Sequence, residues 1–556
     1  MLRGAALGGA GLAGLAVVAC GGSEEDSSAS TAGGSTTGAT AAADQGQPKR
    51  GGTLRYPTPG VAENLDPHIS PSGNTAWVVI PIFSQVLKVD PERNGEAVLP
   101  DLAERWERPD PTTLVLSIRD GVKFHDGSIL TAKDVAASLH RIKNDDKKLK
   151  AAPRSTLFDS VQNFQVVDDK TVQITTATPQ ASLELFLAHG WNCIMPESKT
   201  ALPELKDGKD AIGSGPFKLE SFQVDRGATL VRNPDYYAQG MPYLDKIEVL
   251  SMPDPDARVT AFRSGQIDAD FNGFSPQART VTKQDVPGVQ FDQVKSSVGG
   301  PQFWFHYSTP PMNDPRVRQA LQMVLSLEEL YAISETDGEM LLPVPMGTTS
   351  WALPQDRAAK IPGYAIGKAN KEKEIAEAKK LIEAAGATGQ EITILGGQGR
   401  VLGSKTDDYG VYLARQMNLI GLKGNVDVIE YVTQQQRANR HEFQILAFSS
   451  SFPPPDPDGL KNFFAKSGGR NYGSVNDEQI NSMLDKQSGI FNEEERKKAV
   501  HDVQEIILNS HTGLYFVQNA TGESTVPKQP WVRNVYDHWG TARYDGKKLD
   551  DAWRAD

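Results

Sequence analysis

Strand-like and helix-like runs alternate between residues 392 and 448, and this alternation limits the possible folds more than any other feature of the chain. The runs follow one another in the order strand 392–395, helix 408–420, strand 426–429, helix 432–439 and strand 443–448. Strands that alternate with helices of this length form βαβ units, in which the strands are parallel and the helices cover the faces of the sheet. The sequence therefore predicts an α/β fold around a parallel sheet.

Residues 112–142 carry the densest local pattern, which combines an alternating strand, two Asp-Gly turns and a helix start. Thr131 and Asp134 have the spacing of a capping pair at that helix start. His125 and Asp126 stand side by side and invite a catalytic interpretation. Because Asp126 opens a tight turn, we expect the stretch to be scaffold that does not bind ligand.

Local patterns predict several further elements. Residues 99–106 are predicted as a short helix, residues 265–270 as a short strand and residues 303–307 as an aromatic strand. Apolar residues at helical spacing predict a late helix over residues 493–509. The glycine-rich run 212–215 leads into a strand pattern and not into a helix, which excludes a phosphate-binding loop.

The first 20 residues differ from the rest of the chain. Residues 4–19 are apolar or small, and the run ends in Val-Val-Ala-Cys with Cys20 in last place. This ending resembles a bacterial lipobox, which implies a lipoprotein signal peptide over residues 1–20 and a diacylglycerol on the Cys20 sulfur. A plain export signal with a chance cysteine is the alternative, and the use of a twin-arginine signal stays open.

Residues 21–50 are rich in Gly, Ser, Thr and Ala and have no apolar periodicity. Such a segment cannot bury enough apolar surface to order itself, so we expect a disordered tether with a reach of roughly 30 Å. Two acyl chains on Cys20 would anchor it stably. The expected location is the outer face of the bacterial cytoplasmic membrane.

Composition excludes several classes of function. The 556 residues have a net charge of −12, with 58 Lys and Arg against 70 Asp and Glu, and no basic run is interleaved with aromatic residues. A nucleic-acid partner is therefore not expected. The two cysteines, Cys20 and Cys193, form no disulfide framework, and the nine histidines stand singly, so we expect neither a metal nor a cofactor.

No set of nucleophile, base and orienting acid emerges along the chain. Ser214 lies between two glycines but lacks the spacing of a hydrolase nucleophile elbow. We therefore expect that the protein is not an enzyme. A secreted hydrolase is kept as the alternative from a different class.

Separated blocks of the chain stand in a characteristic order: GGTLRYPTPGVAENLDPH, LSIRDGVKFHDGSILTAKDVAASLHRI, GSGPFKLESF, LVRNPDYY, FRSGQIDAD, NDPRVRQALQMVLSLEEL and FQILAFSSSFPPPDPDGLKNFF. Together they resemble family 5 of the bacterial extracellular solute-binding proteins, the oligopeptide-, dipeptide- and nickel-binding receptors of ABC importers. The resemblance covers nearly all of the chain from residue 51 to about residue 540, and the joint order of the blocks is its specific part.

The resemblance implies an α/β, two-lobed periplasmic-binding-protein fold of type II, cluster C, with an extra domain inserted in lobe one. It implies the following limits: lobe one, residues 51–86, 210–295 and 521–556; extra domain, residues 87–209; lobe two, residues 296–520. It further implies that the lobes close on a ligand and present a surface to ABC permease subunits. We expect a monomer.

Aromatic residues are the expected wall of the ligand cleft, because ring faces suit a sugar, an apolar side chain or another hydrophobic ligand. Trp304 and Tyr307 lie on one predicted strand, so one of its faces could line the cleft. Trp77 and Trp351 flank predicted loops. For each of these residues, packing in the core is the alternative.

The resemblance also implies an aspartate, in peptide-binding members, that binds the α-ammonium group of the ligand from a loop of lobe two. The corresponding position falls near Phe452, where no acid stands. Ser449, Ser450 and Ser451 occupy the loop instead. Asp456 follows, either as a substitute for the missing acid or as the cap of a turn.

These observations favour a lipid-anchored receptor that captures a peptide or another small solute for an ABC importer. The missing acid leaves a non-peptide ligand open, such as a sugar, an opine or a metal chelate. A sensor or chaperone-like receptor without a permease is a further alternative.

Overall fold

The structure is a computed structural model, and it describes residues 47–556 with gaps at 61, 63, 71–72, 91–95, 146, 150–152, 206–207, 296–298, 334–339, 348, 398–399, 402–403, 452–455, 512–522 and 535–547. Two predicted site residues, Cys20 and Phe452, lie outside the described residues, as do the predicted signal peptide and most of the predicted tether. Residues 47–556 form one compact unit.

The strands have the following bounds: β1 Thr53–Thr58, β2 Ser84–Gln85, β3 Leu87–Val89, β4 Val98–Pro100, β5 Ala103–Asp110, β6 Thr113–Ile118, β7 Val161–Asp168, β8 Thr171–Thr176, β9 Cys193–Ile194, β10 Phe217–Gln223, β11 Gly227–Arg232, β12 Lys246–Ser251, β13 Gln290–Lys295, β14 Gly299–Phe305, β15 Glu391–Gly397, β16 Arg400–Val401, β17 Ser404–Lys405, β18 Lys423–Ile429, β19 Ile445–Ser451, β20 Glu523–Lys528, β21 Val532–Arg533 and β22 Trp553–Arg554.

The α-helices have the following bounds: α1 Gly73–Val79, α2 Ala132–Lys143, α3 Leu183–Leu187, α4 Glu197–Thr200, α5 Pro255–Arg263, α6 Pro276–Asp285, α7 Pro315–Val324, α8 Leu327–Ile333, α9 Gln355–Ala358, α10 Lys368–Ala384, α11 Thr406–Leu419, α12 Tyr431–Asn439, α13 Gly459–Phe464, α14 Glu478–Ser488 and α15 Glu493–Asn509. A 3₁₀ turn spans Ser155–Phe158.

Lobe two is built on a mixed sheet in the order β14-β19-β15-β18. β15 is parallel to both β18 and β19, and helices α11 and α12 connect these strands, so the predicted βαβ alternation is confirmed. Side chains on β19 alternate between two cores, with Ile445 and Ala447 on one face and Leu446 and Phe448 on the other. The sheet is therefore covered on both faces, as parallel sheets require.

Lobe one is built on a sheet in the order β1-β12-β11-β10, in which β1 and β12 are parallel. Its core includes Tyr56, Phe83, Ile247 and, from the far end of the chain, Ala552. Trp191, Cys193, Met195 and Leu205 also pack in this core, although the predicted limits assign them to the extra domain. We keep those domain limits as a prediction.

The extra domain is built on an antiparallel sheet in the order β5-β6-β8-β7, with α2 packed against it. The helix predicted over residues 99–106 is wrong, because this segment belongs to β4 and β5. Trp106 pairs with Leu116 of β6, and this long-range pairing overrides the local helical signal. The capped helix start is present, since the Thr131 N–H donates to Asp134 Oδ2 at 2.8 Å.

Two antiparallel strands, β13 and β20, form the hinge pair of this structure. β13 leads the chain from lobe one into lobe two, and β20 leads it back. Lys528 and Asp292 join the pair through an ion pair of 2.6 Å. The strand predicted over residues 265–270 is wrong, since the structure shows there an isolated bridge between Ala269 and Lys528 that ties the hinge pair to lobe one.

Within the described part of the chain, every helix is too short or too polar to span a bilayer.

Candidate functional site

The candidate site on lobe two is the edge of its sheet where the parallel strands end. β15, β18 and β19 end there, and β14 begins there, because Gly299 of antiparallel β14 pairs with Ser451 of β19. In sheets of this kind, ligands bind outside the carboxyl ends of the strands. The backbones of Ser449, Ser450 and Ser451 form the last residues of β19, so these three predicted site residues lie at this edge.

Lobe one presents a corresponding edge at the carboxyl ends of its parallel strands β1 and β12, where Thr58 pairs with Ser251. Beside it, the rings of Tyr56, Trp77 and Phe271 pack together, and the Trp77 and Phe271 rings stack at 4.8 Å. Trp77 is 8% exposed. The structure therefore places Trp77 beside the lobe-one edge, but it is packed against other rings.

The hinge pair connects lobe one to the lobe-two edge. β13 ends at Lys295 and β14 begins at Gly299, so a link of three residues separates the hinge pair from the lobe-two edge. At the other end of the hinge pair, Ala269 of lobe one bridges to Lys528. The two sheets are thus connected through a pair of crossover strands, and such a connection allows two lobes to close on a ligand.

Trp304 and Tyr307 do not lie at this edge. Tyr307 follows the far end of β14, eight residues beyond Gly299, which corresponds to roughly 25 Å at about 3.3 Å per residue. Its hydroxyl donates to the Ser510 carbonyl at 2.9 Å, and its ring carries the Arg318 guanidinium at 3.8 Å. Tyr307 therefore lies outside the candidate cleft.

Trp304 is fully buried inside lobe two. Its ring packs against Phe463 at 5.8 Å and Tyr472 at 5.7 Å, and its N–H donates to Gln302 Oε1 at 2.9 Å. The core-packing alternative therefore describes Trp304 in this structure. The reason is the antiparallel pairing of β14, which turns its beginning and not its aromatic end toward the cleft.

Asp456 is buried and already paired. Its carboxylate accepts from both terminal nitrogens of Arg496, at 2.9 and 2.8 Å, and from the Asp458 N–H at 2.8 Å. Although burial lowers the pKa of Arg496, the charges of Asp456 and Asp458 raise it above its usual value. Asp456 thus caps a turn, and a ligand ammonium would have to compete with a bidentate guanidinium.

The sequence carried a signal for this partner. Arg496 lies on α15 in register with Val500, Val503 and Ile507, at intervals of four, three and four residues. An arginine on the apolar face of a helix requires a buried acid. The signal does not identify the acid, because that acid lies 40 positions away in the sequence.

Trp351 and Asp456 both line a cavity of about 390 Å³ that lies between the extra domain and lobe two. Arg496 lies beneath the Trp351 ring at 5.2 Å. The extra domain contributes Glu96 and Trp106 to the walls. The structure therefore brings Trp351 and Asp456 together, but away from the serines of β19.

His125 belongs to a structural turn. Its backbone N–H donates to the Gly213 carbonyl at 2.8 Å, and its Nε2 lies 3.0 Å from the Gly215 carbonyl. Burial lowers the pKa of His125 to about 4. A Cβ at Gly213 would lie 2.1 Å from the Ile82 carbonyl oxygen, so the glycine-rich run is needed for close packing.

Within the part of the chain that the structure describes, no group of three or more His, Cys, Asp or Glu side chains is placed to hold a metal. Cys193 is buried, and burial raises the pKa of its thiol to about 12. Such a thiol is inert at neutral pH.

Comparison with known families decides the classification. The profile of the bacterial extracellular solute-binding proteins, family 5 Middle, matches residues 97–472, which is more than half of the chain. The chain belongs to this family. Its structure has the mixed α/β architecture of the type II periplasmic binding proteins in the same family.

The sequence identity between this chain and individual curated relatives is low. The glutathione-binding protein GsiB of Pectobacterium atrosepticum is 26% identical over 230 residues, which is 40% of this chain and 43% of that protein. The match therefore spans less than half the length of that curated relative.

Solved structures of family 5 proteins share the fold over most of their length. DppA of Helicobacter pylori, in complex with the peptide STSA, has a TM-score of 0.73 and 20% identity, and covers 91% of this chain and 99% of its own. AgaA of A. tumefaciens R10, in complex with agropinic acid, has a TM-score of 0.72 and 24% identity, and covers 90% and 99%.

Proposed function

We propose that this family 5 chain is a receptor that captures a peptide or another small solute between its lobes and delivers it to the permease subunits of an ABC importer. The observation that carries the proposal is that the hinge pair connects lobe one to the carboxyl-terminal edge of the lobe-two sheet. The match to an extracellular solute-binding family supports it. The mechanism is lobe closure without covalent chemistry.

We further propose that Cys20 carries a diacylglycerol anchor that holds the receptor at the outer face of the membrane. The lipobox-like end of residues 17–20 supports this step. Mass spectrometry of the protein from membranes tests it. The expected result is an N-terminal peptide that begins at an acylated Cys20, and an unmodified N-terminus at another residue would contradict it.

The contacts of Asp456 bear on the substrate class. The Arg496 guanidinium already neutralises its carboxylate, so Asp456 is a poor acceptor for the ammonium group of a peptide. This pairing favours, as a second candidate, a non-peptide solute such as a sugar, an opine or a metal chelate. The structurally similar proteins include four complexes with peptides and two with agropinic or mannopinic acid. Ser449, Ser450, Ser451 and Trp77 remain the proposed ligand contacts.

Native mass spectrometry of the protein as purified tests the substrate class, since a closed cleft retains its solute. A single small added mass would support a non-peptide solute. A ladder of masses that differ by amino-acid residues would support peptides. A secreted hydrolase remains the alternative from a different class. Conversion of the bound solute to product during incubation would contradict the receptor proposal.

A further inference from the structure

The extra domain contacts both lobes, and its contacts with lobe one involve buried side chains. The Arg141 guanidinium donates to both oxygens of Asp66 in lobe one, at 2.9 and 2.6 Å, and both side chains are buried. A second ion pair joins Asp101 to Lys548 of lobe one at 2.5 Å, again with both side chains buried. The chain itself also links the extra domain to lobe one at both ends.

Contacts between the extra domain and lobe two involve different groups. The Ala181 N–H donates to the Ser488 carbonyl at 2.8 Å, and the Ser182 hydroxyl contacts the Asp458 carboxylate. Farther out, the Ser350 N–H donates to Glu96 Oε1 at 2.9 Å. None of these three contacts joins two charged groups, and they lie along one boundary, beside the cavity of about 390 Å³.

The other partners of the Asp458 carboxylate allow this boundary to separate. Besides Ser182, its carboxylate accepts from Gln487 at 2.5 Å and from the Ser488 hydroxyl, both within lobe two. Arg496 of lobe two lies 3.6 Å away. Asp458 therefore keeps three partners if Ser182 leaves, and water can replace the hydroxyl.

An outer aromatic contact strengthens the same boundary. The Arg108 guanidinium of the extra domain lies 4.9 Å from the ring centre of Phe491 in lobe two, and this ring is 45% exposed. Arg108 is held in place by Glu184 of its own domain. A cation above an exposed ring contributes a weak attraction that forms and breaks without large cost.

We propose that these contacts form a clasp, in which Glu96, Arg108, Ala181 and Ser182 of the extra domain close on Ser350, Asp458, Ser488 and Phe491 of lobe two. The inference rests on the proposed lobe closure, since the extra domain is fixed to lobe one and must separate from lobe two when the hinge pair opens. The clasp sets the ratio of closed to open receptor before any solute binds. Solute affinity then scales with that ratio.

Spin-label distance measurement in solute-free protein tests the clasp. The full chain carries Cys20→Ser, which leaves the buried Cys193, together with labels at Asp169→Cys in the extra domain and Lys498→Cys in lobe two, both exposed positions. Ser182→Ala and, separately, Ser350→Ala should each shift the closed-to-open ratio toward open by about three- to tenfold. Ser128→Ala, an exposed hydroxyl of the same domain that contacts Asp126, is the matched control and should shift nothing.

Two results would overturn the clasp, and they are distinguishable. If the wild-type protein moves between two distances and both clasp variants keep its ratio, the clasp is wrong and the receptor proposal stands. If a single distance persists in every variant and does not change on addition of a mixture of tri- to pentapeptides or of agropinic acid, the lobe closure itself is wrong. Ser350 is exposed, so its variant folds even if Ser182→Ala does not.

Discussion

The two boundaries of the extra domain differ in the kind of group that crosses them. Toward lobe one, buried ion pairs cross, and Asp66 with Arg141 is the clearest case. Although burial raises the pKa of Asp66, Arg141 and its other partners hold that pKa below the usual value, so the carboxylate stays charged. Toward lobe two, hydroxyl and backbone groups meet carboxylates such as Asp458 and Glu96.

This difference shows how a fold can combine a fixed attachment with a reversible one. Separation of a buried ion pair leaves two charges without partners in a region of low dielectric constant, which is costly. Separation of a hydroxyl from a carboxylate lets water take its place. The first boundary should therefore determine whether the protein folds, and the second should determine which conformation it adopts.

The largest expected effect is that of Arg141→Met. The substitution leaves the Asp66 carboxylate buried without its guanidinium and should lower the free energy of unfolding by about 3–5 kcal/mol. Urea denaturation followed by circular dichroism measures it. The control is Arg440→Met, which removes an exposed pair with Glu442 and should leave the midpoint unchanged. Equal urea midpoints for the two variants would contradict the role of the buried ion pair in fixing the extra domain to lobe one.

Lys548→Met is expected to have the second largest effect. Asp101 would lose its ammonium partner but keep hydrogen bonds from Tyr237 and from the Gln85 N–H, so the loss should be about 2 kcal/mol. Limited proteolysis should then release the C-terminal segment earlier than in the wild type. A C-terminal segment that resists the protease as long as in the wild type would contradict this attachment.

His125→Ala tests an uncharged attachment to lobe one. Burial lowers the pKa of His125 to about 4, whereas an unfolded histidine has a pKa of about 6.5. Between these values the unfolded state binds a proton that the folded state does not, so stability is full above pH 6.5 and falls as the pH falls toward 4. The variant lacks this titrating group, so its free energy of unfolding should not show the decrease of about 1.4 kcal/mol per pH unit that the wild type shows between pH 6.5 and 4. Urea denaturation at a series of pH values measures both slopes, and equal slopes would contradict this role of His125.

The same variant also tests the placement of residues 112–142 away from the cleft. Affinity for the solute that native mass spectrometry identifies should stay within a few-fold of the wild-type value at pH 7.5, by isothermal titration calorimetry. A loss of a hundredfold would show that the turn at His125 contributes to the ligand site.

Ser350→Ala should have the smallest effect on unfolding. The hydroxyl is exposed and contacts Glu96, so the free energy of unfolding should change by less than about 0.5 kcal/mol. The same urea titration that is used for Arg141→Met measures it. A cost near that of Arg141→Met would mean that both boundaries hold the fold, and the distinction between them would disappear.

Much of the fold could be predicted because it depends on local patterns. The helix predicted over residues 493–509 has those bounds in the structure, and the strand and helix alternation of lobe two is present. The helix predicted over residues 99–106 is wrong because β5 is held by its partner β6, and a partner strand is not visible in a local window.

The candidate site was harder to predict because it depends on contacts between distant residues. The aromatic run that ends at Tyr307 was recognisable, but only the pairing of Gly299 with Ser451 shows which end of that strand meets the cleft. The pairing of Asp456 with Arg496 likewise joins two elements that no short pattern connects.

The attachment of residues 548–556 has a consequence for folding. Arg554 donates to the Thr53 carbonyl at 2.8 Å across 501 positions and also pairs with Asp268. The native contacts of lobe one therefore join residues 501 positions apart, and the closure of so long a loop must precede them. Long-range contacts of this kind slow folding, so lobe one should acquire its complete native structure late.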